Sequence, residues 1–97
     1  MTKITEFQAL MKRTYLLRDE KRGTHATLLW LASEVGELFD AVLRGDRAQI
    51  QAEFADVFAW LCSACNLLDV DLEEASLKKY GVGCPRCQRS ICICGDS

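Results

Sequence analysis

The tightest constraint on this chain is a set of acids placed symmetrically about one glycine. Glu34 and Glu37 precede Gly45, Glu53 and Asp56 follow it, and both runs read as helices. Glu37 and Glu53 are equally far from Gly45, as are Glu34 and Asp56, and Trp30 and Trp60. If Arg44-Gly45-Asp46 turns an antiparallel hairpin, mirrored residues share a height, because both helices rise about 1.5 Å per residue. The four carboxylates then stand in two levels, with a tryptophan pair further from the loop.

Helical angles of about 100° per residue place Leu31, Val35, Leu38 and Val42 on one stripe, with Glu34 and Glu37 along its edge. Ile50, Phe54, Val57 and Leu61 form the facing stripe, again edged by Glu53 and Asp56. Two unit charges about 4 Å apart at an effective dielectric near 20 interact by about 4 kcal/mol. Four partly desolvated acids therefore need a cation, or some must keep their protons. Oxygen ligands without histidine favour Mg²⁺ or Mn²⁺ over zinc or copper. One E-x-x-E usually marks a solvated helix face; the mirrored second pair is what points to a metal.

The 97 residues suit one small domain, and 49% hydrophobic with 27% charged content reads as globular. A formal net charge of −2 gives no general footprint for nucleic acid. No apolar run reaches the roughly 20 residues of a membrane span, and no signal-peptide pattern opens the chain. A cytoplasmic protein is expected. The pattern is all-α, with no strand period and no internal repeat.

The first helix is expected from Thr5, as N-cap with Gln8 in the capping-box position, to about Asp19, with Gly23 as the stop. Thr24 opens the second, which runs to about Leu43. Asp46 with Gln49 caps the third, which reaches about Leu68 and spans roughly 33 Å. Asp71 with Glu74 caps a short fourth helix ending near Tyr80. Gly36 interrupts the acidic run, either tolerated or admitting a close neighbour. Cys62 and Cys65, inside the third helix, read as core residues. Lys78 and Lys79 either offset the C-terminal helix dipole or reach a phosphate.

Residues 82–97 form a distinct tail after a helical domain at 1–81. Cys84, Cys87, Cys92 and Cys94 have the order C-x-x-C, four residues, C-x-C. Such spacing lets four thiolates converge on a structural Zn²⁺ in a reducing compartment. Too few apolar residues intervene for a core, so the metal would supply the folding energy.

The stretch from Arg22 to Leu38, containing Ser33-Glu34-Val35-Gly36-Glu37, followed by Glu53-Phe54-Ala55-Asp56-Val57, resembles the MazG-like nucleotide pyrophosphohydrolases. That family is marked by E-x-x-E, a spacer and E-x-x-D, and the likeness covers roughly residues 5–80. It implies a four-helix, oligomeric bundle, bound Mg²⁺, and cleavage of nucleoside triphosphates to monophosphate and pyrophosphate. Carried over by motif position, Glu34, Glu37, Glu53 and Asp56 become the catalytic metal ligands. Two departures stand out. Ser33 replaces a second acid that many relatives carry, and only Lys78 or Lys79 answers a family lysine–asparagine pair. The cysteine tail lies outside the family core.

The chemistry suits such a site. A triphosphate brings about four negative charges to a nest of acids, so divalent metal must bridge them. The metal lowers the pKa of water, and a carboxylate, Glu34 or Glu37, takes the proton. Trp30 and Trp60 are expected either to stack a base or to pack the core or a subunit contact. Arg22 and His25 are candidate substrate contacts. One thin hairpin buries little surface, so a homodimer or homotetramer is expected. Two other readings remain open: a non-enzymatic zinc module gripping protein or nucleic acid, and a phosphoribosyl-ATP pyrophosphatase.

Overall fold

The computed structural model describes residues 3–95. Four helices follow one another, α1 (Ile4–Arg22), α2 (Thr24–Arg44), α3 (Arg47–Leu67) and α4 (Leu72–Tyr80), with no strand among the described residues. The all-α expectation holds. No described helix is long and apolar enough to cross a membrane.

The central hairpin closes through Gly45 and Asp46. Gly45 adopts the left-handed conformation (φ 71°), and its N–H donates to the carbonyls of Ala41 and Val42. That ends α2 without the Cβ clash another residue would incur. Asp46 then accepts from the Gln49 N–H at 3.2 Å and starts α3. Asp71 does the same for α4, accepting from the Glu74 N–H at 3.0 Å. Both caps are placed as the sequence predicts.

The start of α1 differs. The helix begins at Ile4 with Lys3 as an unassisted N-cap, so Thr5 does not cap it. Gln8 is drawn away by a better use of its amide. It donates to the Asn66 side chain at 3.0 Å and to the Val70 carbonyl at 2.8 Å, and accepts from the Leu72 N–H at 3.0 Å. Gln8 thereby ties α1 to the α3–α4 turn. At its other end α1 continues to Arg22 before Gly23, at φ 91°, stops it.

Helix α3 is central, packing on α2 along the hairpin and on α1 across its other side, where Phe7 and Phe58 stack at 4.9 Å. The α2 face turned inward is Thr27, Leu31, Glu34, Leu38 and Ala41, rotated from the expected stripe. Val35 and Val42 are half exposed, and Phe54 is 57% exposed. Glu34 and Glu53 therefore stand in the helix–helix seam rather than at its margin. Small side chains (Ala41, Thr27) fill the seam beside them, because helices can close around carboxylates only where their neighbours are short.

Candidate functional site

The hairpin brings Glu34, Glu37 and Glu53 together. One carboxylate oxygen from each lies within 4.8 Å of the other two. Glu34 and Glu37 share a face of α2 at i, i+3 spacing, and Glu53 faces them from α3. Glu53 is 8% exposed. Its Oε1 accepts from Gln49 Nε2 at 2.6 Å. Its Oε2, like Glu34 Oε2, is buried without a hydrogen-bond partner among the described residues. Orphaned buried carboxylate oxygens are costly, and a hard cation is one partner that would satisfy both.

Electrostatics reflects the crowding. Burial, then a shared hydrogen bond with Glu37 and the charges of Glu37, Asp56 and Glu53, push the Glu34 carboxyl up to about 7. Without a cation, a proton is held there near neutrality. Asp56 acts on Glu34 by charge but is not one of the three mutually close acids. It is exposed and lines an adjoining cavity.

That cavity, about 250 Å³, lies between α1 and α3 and is lined by Tyr15, Asp19, Arg22, Asp56, Trp60 and Ser63, among others. Asp19, only 2% exposed, accepts from Arg22 through Oδ1 at 2.9 Å. Its Oδ2 is buried without a partner. Arg22 also donates to Thr27 Oγ1 at 3.1 Å and lies 4.6 Å from the Trp60 ring centre. Trp30 and Trp60 stack with centroids 5.8 Å apart, so intrachain partners already engage the Trp60 ring.

The other expected contacts scatter. His25 is exposed on the first turn of α2, and Lys78 and Lys79 are exposed on the last turn of α4. Helix α4 packs on α1, whereas the acids stand on α2 and α3. Asp19, Tyr15 and Ser63 carry no motif in the sequence because they sit on ordinary helical stretches. Only their convergence in space marks them, though an acid three residues before Arg22 is a faint signal of a buried pair.

In the tail the four cysteines converge, with one sulfur from each within 4.8 Å of the others, a cluster able to hold a metal. Hydrogen bonds from the Cys87 and Arg86 amides hold the Cys84 thiol down to about 6. Cys62 is buried in the core, which pushes its thiol up to about 11.

Comparison with known families adds the deciding observation: the model of the MazG nucleotide pyrophosphohydrolase domain matches residues 22–87. The chain belongs to the MazG family. Membership makes it a hydrolase and implies a nucleotide substrate. The matched MazG region contains all four motif acids and both tryptophans, and it ends inside the cysteine cluster. No curated protein matches the chain.

Proposed function

We propose that this MazG protein hydrolyses nucleoside or deoxynucleoside triphosphates to the monophosphate and pyrophosphate. Mg²⁺ or Mn²⁺ would be held by Glu34, Glu37 and Glu53, with Asp56 completing the set from the cavity side. The observation that carries this reading is the convergence of three acids with two orphaned buried oxygens. An all-oxygen donor set of this charge fits a hard divalent cation. When bound, such an ion supplies Lewis acidity at the phosphates.

The protein's own groups have separable tasks. Water adds across the α–β anhydride bond, pyrophosphate leaves, and one proton must be taken from the water. Glu34 or Glu37, whichever carboxylate is not fully engaged by the cation, would take it. Gln49 fixes the Glu53 carboxylate through Oε1 and leaves Oε2 for the cation. The α1–α3 cavity adjoins Asp56 and suits the base, with Asp19 Oδ2 accepting from an exocyclic amino group. Arg22 positions Asp19 and covers Trp60. The Trp30–Trp60 stack belongs to the frame rather than to the base.

A second copy of the chain completes the fold in this reading. Leu29, Phe39, Leu43 and Phe54 are each more than half exposed, large apolar side chains that a partner surface would cover. Paired hairpins would bury it as a four-helix bundle. The direct test is pyrophosphate release from a panel of ribo- and deoxynucleoside triphosphates with Mg²⁺. Release from at least one, abolished by chelation and by Glu53→Gln, is the expected result. Release from none overturns the proposal and leaves a MazG fold serving as an interaction module.

A further inference from the structure

The hydrolase reading makes no use of the tail, yet the tail is the most specifically built segment outside the hairpin. Residues 81–95 contain no helix or strand. Their apolar side chains do not pack: Val82, Ile91 and Ile93 are 69%, 81% and 67% exposed. A segment without a hydrophobic core still follows a defined path. The Cys84 N–H donates to the Arg89 carbonyl at 3.0 Å, and the Gln88 N–H donates to the Cys84 carbonyl at 2.7 Å. Gln88 takes the left-handed conformation (φ 60°) to close this turn. Gly83 is at φ 109°, and a Cβ there would run into the Arg89 carbonyl.

What this path accomplishes is the convergence of four sulfurs. Cys84 and Cys94 stand 3.9 Å apart, and the Cys94 N–H donates to the Cys92 sulfur at 3.3 Å. A disulfide needs sulfurs about 2.05 Å apart. A tetrahedron of thiolates about 2.3 Å from a central zinc has edges of about 3.8 Å. The observed spacing matches the second. The Cys94 N–H aimed at the Cys92 sulfur would stabilise that thiolate in its ligating form, and Arg86 and Arg89 flank the cluster with compensating charge.

We propose that Cys84, Cys87, Cys92 and Cys94 bind one structural zinc ion, which folds residues 81–95 into a knuckle that secures the end of α4. Three residues separate Tyr80 from Cys84. Two hydrogen bonds span the join, from the Gly81 N–H to the Leu77 carbonyl at 2.8 Å and from the Gly83 N–H to the Tyr80 carbonyl at 2.9 Å. Soft sulfur selects this metal, while the hard oxygens of the hairpin select magnesium, so the chain sorts two metals into two sites. The proposal stands independently of the hydrolase reading.

The test is metal analysis of the full chain purified under reducing conditions, paired with hydrogen exchange before and after zinc removal by a thiol-reactive mercurial and a chelator. One zinc per chain is expected, lost in Cys92→Ser. Zinc removal should speed amide exchange in residues 83–94 by at least about tenfold, while α2 and α3 stay protected. If Cys92→Ser fails to fold, the mercurial-treated wild type carries the comparison. Iron instead of zinc, paired disulfides in the freshly isolated chain, or a tail whose exchange ignores metal removal would each overturn the proposal.

Discussion

Trp30 and Trp60 stack with ring centroids 5.8 Å apart and planes inclined by 13°, and Gly45 lies midway between them in the sequence. The same register sets Glu53 opposite Glu34 and Glu37. Shortening Trp60 removes both this stack and the surface under Arg22, so Trp60→Ala should destabilise the fold by about 3 kcal/mol. Chemical denaturation of wild type and variant checks this.

The acids should make metal-free stability depend on pH. Glu34 is raised from 4.5 to about 7 in the folded chain, so the folded state holds a proton that the unfolded state has released. The contribution of neutral Glu34 is fully present below pH 4.5 and is lost as pH rises through about 7. Urea unfolding with chelator present should therefore show stability falling across that window. Added Mg²⁺ should flatten the dependence, since cation replaces proton. A stability that instead rises from pH 5 to 8 in chelator would contradict this account of the cluster.

The hairpin was legible in the sequence, because Gly45, Asp46 and the mirrored acids are local signals that tertiary packing had no reason to override. The rotation of α2 was not. An apolar stripe of Leu31, Val35, Leu38 and Val42 reads as core-facing, but the inward face includes Thr27, Glu34 and Ala41. Periodicity assumes that the most apolar face is buried within one chain. Carboxylates standing in the seam break that assumption, and Val35 and Val42 turn outward. Gln8 departs from its expected capping role for a related reason: its capping-box position is a local signal, whereas its partners Asn66, Val70 and Leu72 are remote in sequence. Buried Asp19 has no sequence signature beyond its spacing from Arg22.

The outward apolar face leads to a test of assembly. Phe54→Glu, at a site 57% exposed in the single chain, should reduce the light-scattering mass from a dimer or tetramer toward one chain at micromolar concentration. A wild-type mass already equal to one chain would remove the assembly argument.

The Asp19 carboxylate yields a prediction about the base. Its orphaned Oδ2 accepts hydrogen bonds and cannot donate them when ionised. Wild type should favour bases with an exocyclic amino group, as in cytosine, over uracil or thymine. Asp19→Asn should shift kcat/KM toward the oxo bases by roughly tenfold or more, on the scale of an unpaired buried polar group. Thermal unfolding of the variant separates this from collapse of the Asp19–Arg22 pair. Equal use of amino and oxo bases by wild type and variant would rule Asp19 out.

The central claim is that Glu34, Glu37 and Glu53 together clasp a divalent cation. Electron paramagnetic resonance titration with Mn²⁺ addresses it without requiring turnover or a known nucleotide. Wild type should bind Mn²⁺ saturably, in competition with Mg²⁺, and Glu53→Gln should lose that binding while remaining folded. Wild type that leaves Mn²⁺ free, or Glu53→Gln that binds it as well as wild type does, would contradict the account.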